Sequence, residues 1–162
     1  MPLTVWFTNK PPKMGRKGIC FLVLTALFLI VGTVLPQYVT ITRTDSVKYN
    51  VFWEMEDQVP APGSYVRLLL WDASVGCNPC SIVKRIGCMP GGALTNNGTK
   101  FYCNGKFLGQ AQENDRHQPF VFNGTVPPGR VFLIGDQERS YDSRYFGFKP
   151  LRDIEVVLRP LF

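Results

Sequence analysis

The hydrophobic pattern of the chain changes character at Pro36. Residues 19–35, ICFLVLTALFLIVGTVL, form a run of 17 residues without a charge, at the low end of the roughly 17–25 residues that span a bilayer as a helix. Backbone groups in lipid must be satisfied within the segment, so a helix is the expected form. We predict a transmembrane signal anchor over 19–36. A cleaved signal peptide and a buried core helix are the alternatives, but Val31-Gly32-Thr33 is a poor cleavage site.

After Pro36 the pattern changes to short segments rich in Val, Ile, Tyr and Phe, divided by Gly, Pro and Asn. This is the pattern of β-strands joined by turns, and the Asn-Gly pairs at 97–98, 104–105 and 123–124 predict tight hairpins. The fold class is therefore mainly β, a folded sheet or partial barrel with one N-terminal transmembrane helix. The predicted strands cover residues 47–54, 65–72, 81–86, 100–103, 120–122, 130–134 and 154–159.

The positive charge lies on one side of the apolar run. The formal net charge is +6, and residues 1–18 hold four cations and no acid, whereas the first basic residue after the run is Arg43. By the positive-inside rule, residues 1–18 are a cytoplasmic basic tail and residues 37–162 form an exported domain. Nucleic-acid binders carry their basic residues on the folded part, so no nucleic-acid partner is expected. The four cations are Lys10, Lys13, Arg16 and Lys17.

Four of the five cysteines fall in the exported part, namely Cys77, Cys80, Cys88 and Cys103, while Cys20 lies in the apolar run. An oxidising compartment favours structural disulfides among these four, and three pairings are possible. Zinc binding and a redox-active CxxC pair are the alternatives. The gaps of 2, 7 and 14 residues match no common zinc motif, and no βαβ pattern surrounds the CxxC. We expect no metal and no cofactor.

The catalytic motifs of several hydrolase classes are missing. The chain has no HExxH, no GxSxG elbow and one histidine, His117, in a polar stretch that predicts a solvated loop. A serine can instead be activated by a lysine whose pKa falls in apolar surroundings. Within residues 81–92, SIVKRIGCMPGG, Lys84 shares a strand face with Ile82 and Ile86. This favours such a lysine, although a strand-edge lysine reaching to water has the same pattern.

Two segments resemble the motif boxes of the type I signal peptidases, the membrane-bound Ser/Lys proteases. IVKRIGCMPGG is similar to their lysine box, I-K-R-V-x-G-x-P-G-D, and residues 135–147, GDQERSYDSRYFG, resemble their last box. The order of anchor, serine, lysine box and last box also matches, and the resemblance covers most of residues 36–150. The compact last box and the small size are most similar to the conjugative-transfer, TraF-type branch. The resemblance implies a single-pass protein of the bacterial inner membrane with a periplasmic catalytic domain.

The resemblance also implies roles for individual residues. The segment TRTDSVKYN, residues 42–50, corresponds to the nucleophile region, which makes Ser46 the nucleophile, with Ser64 in PGSY as the alternative. Lys48 replaces the proline of the family pattern and Asn50 its glycine. In the lysine box Cys88 replaces a glycine and Gly92 an aspartate. The remaining expectations are Lys84 as general base, Thr44 beside the oxyanion site, Ser140 as the hydrogen-bond partner of Lys84, and an ion pair between Asp142 and Arg144 that braces the lysine pocket.

The predicted function is that of a membrane-anchored serine endopeptidase. It would cleave signal or leader peptides from exported preproteins, among them pilin precursors, in conjugative transfer or type IV secretion. The resemblance implies that such substrates bind as an added strand, with small side chains in shallow pockets. A catalytically inactive scaffold that binds pilin or secretion subunits is the alternative, and an enzyme that circularises pilin would use the same residues. Ten residues separate Pro36 from Ser46, at most ~33–36 Å, so the serine stays near the bilayer.

Overall fold

The computed structural model describes residues 15–72, 76–112 and 117–162, and for Cys77 the backbone only. The chain divides into two compact units, Met1–Gln37 and Tyr38–Phe162. Lys10 and Lys13 of the predicted cytoplasmic tail, and the side chain of Cys77, lie outside the described part.

The described part of the first unit is one helix, α1 (Arg16–Val34), followed by a 3-10 turn over Leu35–Gln37. None of its residues is buried, and by length and composition it can cross a membrane. The hydroxyl groups of its two threonines are both hydrogen-bonded within the helix. The hydroxyl groups of Thr25 and Thr33 donate to the carbonyl oxygens of Phe21 and Leu29, one turn earlier.

The regular secondary structure of the second unit is almost entirely strand, so the predicted mainly-β class is confirmed. The strands are β1 (Val39–Ile41), β2 (Val51–Met55), β3 (Tyr65–Asp72), β4 (Cys77–Cys88), β5 (Ala93–Asn97), β6 (Lys100–Cys103), β7 (Lys106–Gln110), β8 (Gly124–Thr125), β9 (Arg130–Ile134), β10 (Lys149–Pro150) and β11 (Ile154–Pro160). A four-residue helix, α2 (Ser143–Phe146), lies between β9 and β10.

The strands form two sheets. The main sheet has the order β1-β2-β11-β3-β4-β9-β10, and the second sheet has the order β7-β6-β5-β8. Every pairing is antiparallel. Strand β4 pairs with β3 along most of its length, but β9 pairs with β4 only from Arg85 onward. Among the described strands, the first half of β4 therefore has a partner on one edge alone.

The structure corrects several predicted elements. Residues 47–50 turn rather than extend, so only the second part of the predicted strand over 47–54 forms β2. Residues 120–122 are not a strand, and Asn123-Gly124 is not a hairpin turn, because Gly124 pairs with Leu94 of β5. The turns at 97–98 and 104–105 are hairpins, as predicted, with Gly98 and Asn104 at φ +58° and +49°.

Hydrophobic clusters hold the functional segments in place. One cluster contains Val47, Phe52, Val83, Val156 and Leu158. Val47 follows Ser46 in sequence and Val83 precedes Lys84, so this cluster fixes the serine segment beside the lysine strand. A second cluster packs Cys88, Leu94, Phe101 and Phe132 together, and it joins the second sheet to β4 and β9.

Candidate active site

A cleft of about 1250 Å³ gathers three segments that are far apart in sequence. Its lining includes residues 40–46 at the end of β1 and after it, residues 80–84 in the first half of β4, and residues 136–141 after β9. Both Ser46 and Lys84 are among these lining residues. The cleft thus brings together the three segments that the motif comparison singled out.

Lys84 is a buried lysine, with 4% of its surface exposed. It lies opposite Val66 of β3 in the sheet register, and its Nζ donates a hydrogen bond of 3.0 Å to Ser140 Oγ. Burial disfavours the ammonium form and lowers the pKa of Lys84 to about 8, although the negative charge of Asp142 acts in the opposite direction. A substantial fraction of this amine can therefore be neutral just above neutral pH.

The last motif box braces the pocket of this lysine. Asp142 and Arg144 are both buried, and their ion pair has two hydrogen bonds, Nη2 to Oδ2 at 2.7 Å and Nε to Oδ1 at 2.9 Å. The two residues meet although the segment is not extended, because Asp142 caps α2 by accepting from the backbone N–H of Arg144. Asp142 also accepts from the N–H of Gly135 at 2.7 Å. Such a two-point pair fixes the orientation of both side chains.

Two further residues of this box have positions that the sequence did not reveal. Ser143 Oγ accepts a hydrogen bond of 2.9 Å from the N–H of Leu133, which ties α2 to β9. Gly135 leaves space for Ser140, because a Cβ at that position would overlap Ser140 Oγ. The only sequence signal for either residue was its place inside the GD and DSR strings.

Ser46 is partly exposed on the cleft, in the turn between β1 and β2. Its Oγ lies 3.3 Å from Oγ1 of Thr44, and its carbonyl oxygen accepts from the N–H of Asp136 at 2.9 Å. The hydrogen bonds of the described residues thus pair Ser46 with Thr44 and Lys84 with Ser140, and they do not join serine to lysine directly. Both groups nevertheless face one cleft.

Asp136 connects the serine segment to the lysine strand, a role that sequence reasoning missed. Its carboxylate accepts from the N–H of Lys48 at 3.0 Å, from Tyr65 Oη at 2.8 Å and from Arg85 Nε at 2.8 Å. Burial alone would raise the pKa of Asp136, but the hydrogen bonds from Arg85, Lys48 and Tyr65 bring the pKa below its usual value. The carboxylate is therefore charged at neutral pH and holds both segments.

The chain is similar to known proteins over most of its length. The family model described as signal peptidase, peptidase S26, matches residues 19–159 of the chain. The chain belongs to this family. A solved signal peptidase I from Enterococcus faecalis is also similar, with 26% sequence identity and a TM-score of 0.44, covering 63% of this chain and 98% of that chain. No curated protein matches the chain.

Family membership confirms the coarser part of the sequence prediction. Signal peptidases are serine peptidases that cleave signal peptides from exported preproteins at a membrane, and this is the class of activity that the chain has. The apolar helix α1 fits the membrane association of that class.

The structure explains three departures of this peptidase from the family's motif pattern. Lys48 stands in place of a proline, and its N–H donates to Asp136, a bond that proline cannot make. Cys88 stands in place of a glycine and forms a disulfide with Cys103. Gly92 stands in place of an aspartate, and a Cβ at that position would lie 2.7 Å from Cys88 Sγ and 3.2 Å from Cys103 Sγ. A side chain at residue 92 is thus incompatible with the disulfide as it stands.

The structure describes four of the five cysteine side chains. Cys88 pairs with Cys103, Cys80 is also in a disulfide, and Cys20 of α1 is free and exposed. The side chain of Cys77 lies outside the described part. Cys80, Cys88 and Cys103 are in disulfides, so these three sulfur atoms are not available as zinc ligands.

Two other residues that were considered for chemistry lie in different surroundings. Ser64 is not among the residues that line the cleft, and its Oγ accepts from the N–H of Ala61 at 3.3 Å, just before β3. The ring of His117 packs on Tyr141 and Tyr145, with centroid distances of 4.5 and 5.9 Å. His117 lies in a loop, as predicted, and it is half-buried because these two rings contact one side of it.

Proposed function

We propose that this signal peptidase cleaves its substrates with a dyad of Ser46 and Lys84. Ser46 Oγ attacks the scissile carbonyl, neutral Lys84 Nζ takes the hydroxyl proton, and the lysine then protonates the leaving amine. Water releases the acyl group in a second step. The observation that carries this proposal is the buried, hydrogen-bonded lysine with a lowered pKa on the same cleft as a partly exposed serine.

The surrounding residues suit the other requirements of acyl transfer. The backbone N–H of Ser46 and the hydroxyl of Thr44, 3.3 Å from Ser46 Oγ, are the donors that we assign to the developing oxyanion. Ser140 holds Lys84 in the free enzyme, and Asp142 with Arg144 braces Ser140. Catalytic hydrogen bonds in free enzymes are often long and tighten when substrate binds. Substrate binding is the step at which Lys84 reaches Ser46.

The substrate is an extended segment of an exported preprotein. Residues in the first half of β4 line the cleft, and there the edge opposite β3 is not paired with β9. A leader segment adds to this open edge as a further strand. Pro79 in this part of β4 has no N–H to donate. The backbone hydrogen bonds to the substrate strand therefore come from the β4 residues nearer to Lys84. Conjugative transfer or type IV secretion is the proposed setting, with pilin precursors as substrates, on the strength of the compact last motif box.

The proposed location is the bacterial inner membrane, with residues 1–18 in the cytoplasm, 19–36 spanning the membrane and 37–162 in the periplasm. The four cations before the apolar run support this orientation.

The dyad is tested by leader cleavage of a co-expressed exported substrate. Ser46→Ala, Lys84→Ala and Lys84→Arg should each lower kcat/KM by about 10³-fold or more, since guanidinium does not deprotonate at usable pH. The double variant should lose no more than either single variant, because the two groups serve one step. In the wild type, the rate should rise with pH through about 8, because the deprotonated lysine is the active form.

Ser64→Ala is the matched control, a serine in the same domain that does not line the cleft, and it should retain full activity. Activity in Ser46→Ala would overturn the nucleophile assignment. Cleavage with Lys84→Ala as well would mean that another peptidase of the cell cleaves the substrate, which would leave the non-catalytic scaffold as the function of this chain. The mass of the product separates hydrolysis from cyclisation, because a circular product is lighter by one water.

A further inference from the structure

We propose that the second sheet supports the Lys84 pocket from outside, through β4 and Arg144, and that the Cys88–Cys103 disulfide and the Arg144–Gln110 hydrogen bond hold this sheet in place. The disulfide and Gln110 are positioning elements, since neither touches the reacting atoms. This inference rests on the general-base role proposed above for Lys84.

The first fastening is the disulfide. Cys88 is fully buried and lies four residues after Lys84 on β4, while Cys103 ends β6 of the second sheet. Their Cα atoms are 5.7 Å apart. Beside the disulfide, β7 packs directly on β4: a Cβ added at Gly87 would lie 3.3 Å from Leu108 Cδ1. The lysine strand and the second sheet are thus joined both covalently and by close packing.

The second fastening is the guanidinium of Arg144. Its Nη1 donates to the carbonyl oxygen of Gln110, the last residue of β7, at 2.6 Å, and its Nη2 donates to the carbonyl oxygen of Ser140 at 3.4 Å. Gly109 permits this approach. It has φ +153°, and a Cβ there would lie 3.3 Å from Arg144 Nη1 and 3.2 Å from Ile134 Cδ1.

Together these contacts close a ring around the lysine. The ring runs from Lys84 along β4 to Cys88, through the disulfide to β6, across the β6–β7 pairing to Gln110, and through Arg144 and Ser140 back to Lys84 Nζ. Loss of either the Cys88–Cys103 disulfide or the Arg144–Gln110 hydrogen bond allows the second sheet to move away from the pocket. Water then enters, and Arg144 loses one of the carbonyl groups that hold it.

Both consequences act on Lys84 in one direction. The charged groups that act on its amine are Asp142 and Arg144 of the last box and Asp136 after β9, and burial is the largest influence. Entry of water removes the penalty on the ammonium form, and displacement of Arg144 removes a repelling cation while Asp142 remains. Each change raises the pKa of Lys84 toward its ordinary value, so less of the neutral base is present near pH 7.

The experiment compares the pH dependence of leader cleavage in the full-length wild type, the double variant Cys88→Ala/Cys103→Ala, and Gly109→Ala. In both variants kcat/KM near pH 7 should fall by about 10-fold for each unit by which the pKa rises. The loss should shrink as the pH rises through the raised pKa of the variants, because more of their lysine then becomes neutral. A merely weakened fold would lose activity at every pH.

The control is Trp53→Ala in β2, whose ring stacks on Tyr38 near the edge of the main sheet and does not line the cleft. This variant should be less stable but keep the wild-type midpoint of the pH profile. Gly109→Ala retains both cysteines, so it tests the ring even if the cysteine variant does not fold. Unshifted midpoints in the folded variants would overturn the inference.

A second readout separates this inference from the proposed dyad. NMR titration of ¹⁵N-labelled lysine, with the Lys84 signal assigned by its loss in Lys84→Arg, reports the pKa without turnover. If the pKa of Lys84 is higher in the two variants while Ser46→Ala and Lys84→Ala still cleave, the inference about the second sheet is supported and the proposed dyad is wrong. If the pKa of Lys84 is the same in the variants as in the wild type, the inference about the second sheet is wrong, whatever the activities of the dyad variants.

Discussion

The buried amine of Lys84 destabilises the folded protein wherever the amine must carry a proton. Its pKa is about 8 in the folded state against 10.5 for an exposed lysine, and each unit of difference corresponds to about 1.4 kcal/mol. The folded state therefore gives up the proton more readily than the unfolded state. Below about pH 8 the protonated lysine costs roughly 3 kcal/mol, and this cost is relieved as the pH rises toward 10.5.

Replacing this lysine should therefore stabilise the protein while abolishing activity. Lys84→Met keeps an unbranched side chain and removes the charge, but it also removes the hydrogen bond to Ser140, worth about 1 kcal/mol. We expect a gain in the free energy of unfolding of about 1–3 kcal/mol near pH 7, shrinking toward pH 10. Urea unfolding in detergent at both pH values measures it.

The control for this experiment is Lys100→Met, at an exposed position of β6. Its effect on the free energy of unfolding should be small and the same at both pH values. A lower stability of Lys84→Met near pH 7 would show that the hydrogen bond to Ser140 outweighs the burial of the charge.

At the scale of elements, the sequence predicted strands where apolar residues are dense. The predicted strands over 65–72, 100–103 and 130–134 coincide with β3, β6 and β9. Strand β5 was missed because Thr95, Asn96 and Asn97 are polar and read as turn residues. The pairing with β6 and β8 forms this strand, so tertiary contacts override its local preference.

The same limit applies to the candidate site. Residue types and motif order indicated Ser46, Lys84 and the last box, and the strand alternation indicated that Lys84 lies among aliphatic neighbours. The bridge through Asp136 was not predictable, because it joins Lys48, Tyr65 and Arg85, which lie up to 88 residues away along the chain. Likewise, the spacing of the cysteines did not choose among the pairings, whereas the approach of β6 to β4 does.

Gly92 provides a test of how the disulfide shapes the lysine box. Gly92→Ala places a Cβ against Cys88 Sγ and Cys103 Sγ, and overpacking of this kind costs about 1–3 kcal/mol. In a Cys88→Ala/Cys103→Ala background the sulfur atoms are absent, so the same substitution should cost less. A double-mutant cycle of unfolding free energies gives the coupling.

Gly124→Ala is the matched control for this cycle. It lies in β8 of the second sheet, and its Cβ would make only an ordinary contact of 3.4 Å with Phe122 Cζ. Its effect should not depend on the cysteines. If Gly92→Ala costs the same with and without the disulfide, the two departures from the family's lysine box are independent.

At the scale of the whole molecule, a catalytic unit of strands follows a helix that can cross a membrane. We expect charge to decide which side of the membrane this unit reaches, because the helix carries no charge from Gly18 onward. Four cations precede the apolar run, and basic residues next to a membrane segment resist export. Orientation and activity in the cell should therefore depend on residues remote from the cleft.

This dependence gives a prediction that separates topology from catalysis. A reporter enzyme that is active only outside the cytoplasm should be active when fused after Phe162. Changing Lys10, Lys13, Arg16 and Lys17 to Gln should lower both the reporter signal and leader cleavage in cells, because part of the protein then inserts with its catalytic unit inside. The purified variant should keep the wild-type kcat/KM in detergent, since its cleft is unchanged.

The control changes an equal number of exposed basic residues within the catalytic unit, which is too long for its charges to set the orientation. That variant should keep both the reporter signal and cleavage in cells. Activity of a cytoplasm-only reporter fused to the wild type after Phe162 would contradict the proposed orientation, and loss of kcat/KM in the purified tail variant would show that the tail acts on the catalytic unit itself. The control positions are Lys100, Lys106, Arg130 and Arg152.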